Sequence, residues 1–196
     1  GDHRDLHSFP TRRSSDLYLL GHGDENVDDA VRNAIDRGAS LIGAGITPWE
    51  SEVSELIVDC VPGLEQIQLT NTGTEAVMYS LRLARAATGR DDVLIVQGGY
   101  NGGTDYVSFN LMDSKDVMQD HTPGTAYPLR PITAGIPKVV QKTVRVVEFN
   151  DLSAVEMVLS NADVAAFILE PILQNEIGRA HVCTPVTFFF PLPAST

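Results

Sequence analysis

The fold is decided by Gln66-Ile-Gln-Leu-Thr-Asn-Thr-Gly-Thr-Glu-Ala-Val-Met78. Polar and apolar side chains alternate over residues 66–70, a pattern that predicts a strand. From about Thr74 to Ala87 the apolar residues recur at helical spacing, and Gly89 is a suitable helix end. A strand that passes within a few residues into a helix is typical of α/β proteins.

Strands and helices continue to alternate after this stretch. Short apolar runs predict three further strands, at residues 93–97, 144–149 and 164–169. A helix is predicted from Asn150 or Asp151 to Leu159. Such alternation requires crossover connections, so the sequence predicts a partial three-layer αβα fold with a mainly parallel sheet. Residues 110–141 are rich in Pro, Gly and Asp without a period, and we expect them to run over the surface.

Two helices are predicted ahead of the decisive stretch. The first covers residues 26–37. The second begins with Thr47 as N-cap, and Glu50 three residues later completes a capping box. Because Cys60 lies on the apolar face of this second helix, we interpret it as a core residue rather than a nucleophile.

Composition excludes several classes of function. The 196 residues carry a net charge of −12, which argues against a nucleic-acid surface or an anionic membrane as partner. No apolar run of about 18 residues occurs, so no membrane span is expected. The two cysteines, Cys60 and Cys183, show neither pairing nor metal-ligand spacing, and a reducing cytoplasm is the expected compartment.

The two ends differ from the rest of the chain. Residues 1–17 contain arginines but no apolar period, and they resemble a one-frame translation of a short-read sequencing adapter. Residues 176–187 resemble the opposite adapter, and the tail that follows has no usable pattern. We therefore expect residues 18–175 to be the native part and residues 1–17 and 176–196 to be foreign to it.

Three polar clusters follow three of the predicted strands. They are Asn-Thr-Gly-Thr-Glu at residues 71–75, Gly-Gly-Tyr-Asn-Gly at residues 98–102, and Glu170-Pro171. Ligands of parallel α/β sheets bind beyond the carboxyl ends of the strands. The three clusters therefore predict a binding site at one edge of the sheet.

Each cluster also has a purely structural interpretation. Thr72, Gly73 and Thr74 could direct backbone N–H groups at an anion, or they could only cap a helix. Tyr100 could stack on a flat cofactor or cover the core. Glu170 could reach a polar cleft or form a structural salt bridge.

In order and spacing, these segments resemble the class III aminotransferases, which depend on pyridoxal 5'-phosphate (PLP), and most of all their glutamate-1-semialdehyde aminomutase-like branch. The resemblance covers about Leu19 to Asn175. Residues 69–76 are similar to the family's Asn-Ser-Gly-Thr-Glu-Ala signature, residues 98–102 to its Gly-x-Tyr-His-Gly turn, and residues 168–175 to its Val-Glu-Pro-x-x-Gly-Asn segment.

The resemblance implies an N-terminal segment followed by the first half of the PLP-binding large domain of a fold-type I enzyme. It also implies a homodimeric parent that acts on small-molecule amino donors and acceptors. Gly73 and Thr74 would hold the PLP phosphate, and Tyr100 would stack on the ring. Glu170 and Asn175 would line the cofactor–substrate pocket. The full set of implied cofactor-binding residues is Thr72, Gly73, Thr74, Tyr100, Asn101, Glu170 and Asn175, of which Asn101 replaces the common His.

Family members attach PLP to a lysine that follows the Glu-Pro segment. The lysines of this chain are Lys115, Lys138 and Lys142, and all of them precede Glu170. We therefore expect a truncated piece of an aminotransferase or aminomutase that has no catalytic lysine and is inactive alone.

Two alternatives remain at this point. One is a nucleotide-binding α/β module without PLP, in which Asp91 or Asp92 would bind a ribose about 20 residues after Gly73. The other is a poorly folded piece without function, because a partial sheet exposes strand edges and apolar faces.

Overall fold

A computed structural model describes residues 20, 23–37, 46–111, 121–170 and 188–191. The chain divides into two units, Gly1–Leu69 and Thr70–Thr196, and each unit is described separately. Five residues named above lie outside the described residues: Leu19, Lys115, Pro171, Asn175 and Cys183.

The first unit contributes two helices, α1 (Glu25–Asp36) and α2 (Pro48–Cys60). The predicted capping box at the start of α2 is confirmed. The Thr47 N–H donates to Glu50 Oε2 at 2.9 Å, and the Glu50 N–H donates to Thr47 Oγ1 at 3.2 Å. Two backbone donors at the helix start are thereby satisfied by side chains.

The predicted packing of the first unit is wrong in two respects. Neither helix contains a buried residue, and Cys60, expected in the core, is exposed. Residues 66–70 do not form a strand. Periodicity identifies which side chains share a face. It does not identify the element that covers this face or the strand that pairs with a predicted strand, because both depend on other parts of the chain. Within the described residues no strand pairs with this segment.

The second unit is an α/β layer structure. Its elements are α3 (Gly73–Thr88), β1 (Asp92–Val96), α4 (Lys138–Gln141), β2 (Val144–Val147), α5 (Leu152–Asn161), β3 (Val164–Leu169) and β4 (Phe188–Pro191). The strand order is β2-β1-β3-β4. Strand β1 pairs in parallel with β2 and β3, whereas β4 is antiparallel to β3. The predicted mainly parallel sheet is confirmed.

Both faces of the central strand β1 are covered. Ile95 packs with Leu81 and Ala84 of α3 in one apolar cluster. Leu94, on the other face, packs with Ala154 and Val158 of α5. A strand buried on both faces is a near-continuous apolar run, as residues 93–96 are. The predicted αβα layering therefore holds.

The long connection between β1 and β2 is partly internal, contrary to the predicted surface path. Phe109, Tyr127 and Ile136 are buried in the same cluster as α3. The Tyr127 N–H donates to the carbonyl of Val146 at 2.8 Å, so the connection lies alongside β2. Apolar residues this widely spaced give no period, and their burial depends on tertiary contacts alone.

Strand β4 falls within residues 176–196, which the sequence suggested were foreign to the native chain. It pairs with β3 from Ala166 to Leu169. The boundaries proposed for the native segment remain a prediction. None of the helices in the described ranges has the length and apolar character needed to cross a membrane.

One prediction follows from the start of α5. Asp151 Oδ1 accepts the Ala154 N–H at 3.0 Å, and Oδ2 accepts the Gly124 N–H at 2.6 Å. These two bonds hold the pKa of Asp151 below its ordinary 3.8. Because the folded-state pKa is lowered, the stabilisation is complete above pH 3.8 and is lost as pH falls through the lower folded value.

We expect Asp151→Ala to lower the Tm at pH 7, because the helix cap and the tie to Gly124 are both lost. The difference from the parent chain should shrink as pH is taken below 3.8 in thermal melts. Asp163→Ala is the control, since the side chain of Asp163 is 76% exposed in its ion pair with Arg90. A pH-independent effect of Asp151→Ala would contradict this account.

Candidate functional site

The candidate site lies at the carboxyl edge of β1 and β3. Because these strands are parallel neighbours, the turn after β1 and Glu170 after β3 emerge side by side. The Tyr100 N–H donates to Glu170 Oε2 at 3.2 Å. Glu170 is 4% exposed, so this buried carboxylate is bonded to the loop that follows the neighbouring strand.

The start of α3 is capped in the way the structural interpretation predicted. Thr72 Oγ1 accepts the Glu75 N–H at 3.1 Å. The Glu75 carboxylate reaches back one residue beyond the N-cap and accepts the Asn71 N–H at 2.9 Å. A hydroxyl that accepts one bond can still donate its own proton, and the first N–H groups of a helix have no intrahelical partner. Capping and anion binding are therefore compatible here.

The glycine loop after β1 closes onto the first turn of α3. The Gly103 N–H donates to Thr74 Oγ1 at 3.1 Å. Gly102 has φ +95°, and a Cβ there would lie 2.9 Å from Thr74 Oγ1. Only glycine permits this backbone conformation at so close an approach. The loop thus connects to Thr74 at one end and to Glu170 at the other.

Space for an anion is present at Gly73. A Cβ built on Gly73 would meet no atom within 4 Å, so the start of α3 is open on this side. The helix dipole and the unpaired N–H groups of the first turn favour a negative charge at such a position.

Tyr100 and Asn101 differ sharply in their surroundings. Tyr100, at the rim of the site, is 50% exposed. Asn101 is 3% exposed, and neither Nδ2 nor Oδ1 of its amide has a hydrogen-bond partner within the described part of the chain. A half-exposed ring beside unpaired buried polar atoms fits a flat ligand that carries polar substituents.

A second buried amide supports the site and was not predicted. Asn110 Nδ2 donates to Gln97 Oε1 at 2.9 Å and to the Pro128 carbonyl at 3.0 Å. Its Oδ1 accepts the Arg130 N–H at 2.8 Å, and its carbonyl accepts the Gly98 N–H at 3.0 Å. This network fixes the start of the glycine loop. The polar Gln97 at the end of an apolar strand was the available sequence signal.

The opposite edge of the sheet lacks the features of the site. Asp92, a candidate ribose-binding acid, begins β1 there and lies 2.9 Å from Arg145. Burial raises the pKa of Asp92, and Arg145 acts in the opposite direction. Asp92 and Asp91, the residue directly before it, therefore both lie at this amino edge, remote from Gly73, and the nucleotide interpretation loses its acid. An open concavity at this edge is lined by Arg85, Asp91, Tyr106, Val139, Val140 and Thr143.

Five of the predicted site residues form two groups, one of consecutive residues and one joined by a hydrogen bond. Thr72, Gly73 and Thr74 form the start of α3, and Tyr100 and Glu170 share a hydrogen bond. Asn101 lies in the loop between these two groups. Their assignment to cofactor binding stays a prediction.

The geometry is that of an α/β protein with a candidate ligand site at the carboxyl edge of its sheet. The sequence profile of the family "Aminotransferase class-III" matches residues 14–190. The chain therefore belongs to the class-III aminotransferase family, as the sequence motifs indicated.

Individual relatives agree with this family. Glutamate-1-semialdehyde 2,1-aminomutase from Nitratidesulfovibrio vulgaris is 38% identical over 161 residues, which cover 80% of this chain and 35% of that protein. An omega-transaminase from Sphaerobacter thermophilus superposes with a TM-score of 0.67 at 30% identity, over 79% of this chain and 34% of the other. A structure described as a transaminase with PLP bound gives a TM-score of 0.64 at 27% identity, over 89% and 36%.

These matches also define the extent of the similarity. The chain spans about one third of the length of the curated relatives that it matches. Its structural neighbours include the omega-transaminase and a glutamate-1-semialdehyde-aminomutase from Pseudomonas aeruginosa, which confirms the predicted fold class.

Proposed function

We propose that this chain carries part of the PLP-binding site of an aminotransferase or aminomutase that acts on an amino acid or amino-ketone. We further propose that these 196 residues alone have no catalytic activity. The observation that carries the proposal is the pair of hydrogen bonds, from Gly103 to Thr74 and from Tyr100 to Glu170, which assembles three separate motifs at one sheet edge.

Each residue has a task in this proposal. The N–H groups of Gly73 and Thr74 would hold the phosphate, and the Thr72 hydroxyl would add a donor. Tyr100 would stack on the ring. When bound, PLP draws electrons from the carbon that bears the amine of an amino acid. Glu170, held by the Tyr100 N–H, would present a fixed carboxylate beside the ring.

The two lysines within the described residues are far from this edge. Lys138 and Lys142 lie in α4 and at its end, immediately before β2. They are therefore at the amino edge of the parallel sheet, and the length of a five-residue strand, about 16 Å, separates that edge from the site. Neither lysine is placed to bind a cofactor held at Gly73, and this supports the proposal that the chain is inactive alone.

The parent protein is proposed to be a homodimer. Tyr79 and Leu83 lie one turn apart on α3 and are 48% and 69% exposed. Apolar side chains paired on an exposed helix face are typical of interfaces between subunits.

Asn175, proposed to line the cofactor–substrate pocket, lies outside the described residues.

The test uses Gly73→Val. The added side chain meets open space, so the fold should tolerate it, whereas an approaching phosphate would be blocked. We expect both PLP and inorganic phosphate to bind the variant at least about tenfold more weakly than the parent chain, a loss of about 1.4 kcal/mol. Isothermal titration calorimetry on the full chain measures both constants.

Gly135→Val is the matched control, because a Cβ at Gly135 meets only Thr133 Oγ1, at an ordinary 3.9 Å. The affinity of Gly135→Val for PLP and for inorganic phosphate should equal that of the parent chain. Equal binding by Gly73→Val and Gly135→Val would mean that the start of α3 is a capped helix end without a ligand role.

A further inference from the structure

We propose that Asn101 is a specificity residue of this site, whose amide pairs with a hydroxyl or amine on the ligand rather than with its phosphate. The inference rests on the proposed PLP site and names a contact within it. It starts from one anomaly. Asn101 is 3% exposed, and both polar atoms of its amide lack partners among the described residues.

The other buried asparagine of this unit does not share the anomaly. Asn110 is buried to a similar degree, at 1% exposure, in the same unit. Both atoms of its amide are satisfied, by Gln97, Pro128 and Arg130. Buried amides in native proteins are normally satisfied in this way, and an unpaired one requires an explanation.

The backbone around Asn101 is fixed on both sides. One residue earlier, the Tyr100 N–H is bonded to Glu170, and two residues later the Gly103 N–H is bonded to Thr74. Between these two bonds, Gly102 runs so close to Thr74 that an added Cβ would lie 2.9 Å from Thr74 Oγ1. Asn101 is therefore held between the helix start that would take the phosphate and the tyrosine that would take the ring.

The chemistry of an amide restricts the ligand group. Its nitrogen donates and its oxygen accepts, whereas a phosphate oxygen at neutral pH offers mainly an acceptor. A phosphate would thus leave Oδ1 unpaired. A hydroxyl or an amine can satisfy both atoms. The inferred ligand class is a phosphorylated aromatic compound with a hydroxyl or amino substituent on its ring side, and PLP is the probe of that class.

The experiment compares PLP and inorganic phosphate on the full chain, with Asn101→Leu as the variant, since leucine keeps the branching at Cγ and the number of side-chain heavy atoms of asparagine without its polar atoms. We expect the affinity for PLP to fall about five- to tenfold, the effect of one or two lost hydrogen bonds. The affinity for inorganic phosphate should change less than about twofold, because the helix start is untouched. Gly73→Val, in contrast, should weaken both.

Thermal stability without ligand is the second measurement. Asn101→Leu removes an unpaired buried amide, so its Tm should equal or exceed that of the parent chain. Asn110→Leu should lower the Tm, since it breaks a satisfied network, and its φ of +51° adds to the loss. A Tm loss in Asn101→Leu like that of Asn110→Leu would overturn the inference and make Asn101 a structural residue.

The outcomes separate this inference from the function beneath it. If PLP binds, Gly73→Val weakens it and Asn101→Leu does not, the contact proposed for Asn101 is wrong and the PLP site stands. Equal weakening of PLP and phosphate by Asn101→Leu also overturns the proposed specificity. Absence of PLP binding by the parent chain overturns both proposals.

Discussion

The purified 196-residue chain, given PLP and any amino donor, is expected to show no amino transfer to pyruvate or 2-oxoglutarate above the rate of free PLP. Reactions of this type need an amine that holds the cofactor and moves protons, a task assigned to lysine in the family. A positioned acid–base group alone contributes about 10²- to 10⁴-fold in rate. Lys138 and Lys142 lie at the opposite sheet edge from Gly73, so neither can supply it.

The assay needs a positive reference. Glutamate-1-semialdehyde 2,1-aminomutase from Nitratidesulfovibrio vulgaris, 38% identical over the shared residues, can be measured in parallel on its own substrate. Transfer by the chain well above free PLP would contradict the expectation. In that event Lys115→Ala, Lys138→Ala and Lys142→Ala would show whether one of the three lysines is responsible.

The sequence predicted those elements whose determinants are local. The capping box of α2, the N-cap at Thr72, the stop at Gly89 and the buried run of β1 each depend on a few neighbouring residues. The structure places all of these as expected. Gly89 has φ +68°, the left-handed conformation that ends a helix.

The errors concern features that depend on distant partners. Residues 66–70 alternate as a strand does, but within the described residues no neighbouring strand pairs with them. Cys60 shares the apolar face of α2, yet it is exposed. In both cases the local pattern was correct and the partner could not be deduced from it.

The sequence predicted where the candidate site lies, but it did not predict the hydrogen bonds that hold the site together. Topology alone required the ends of β1 and β3 to meet, and the motifs stood at those ends. The hydrogen bonds from Gly103 to Thr74 and from Asn110 to Gln97 have no counterpart in any sequence pattern. The unpaired amide of Asn101 likewise became visible only with the loop in place.

The largest expected effect on stability is at Phe109. This side chain is 0% exposed and packs in the cluster that joins α3, the sheet and the long connection. Phe109→Ala should lower the free energy of unfolding by about 3–5 kcal/mol, through lost transfer energy and the cavity left behind. Domains of this kind are stable by about 5–15 kcal/mol, so the variant would be close to unfolding.

Urea denaturation followed by circular dichroism measures this loss, with Ile132→Ala as the control. Ile132 belongs to the same connection but is 50% exposed, and its truncation should change the unfolding free energy by about 0.5 kcal/mol or less. An unchanged m-value in both variants would show that the same surface unfolds. If Phe109→Ala cost less than about 1 kcal/mol, well below the usual cost of truncating a buried Phe, the connection would not pack on the sheet. The glycine loop would then lose its support, because Asn110, which bonds Gly98, is the next residue along the chain.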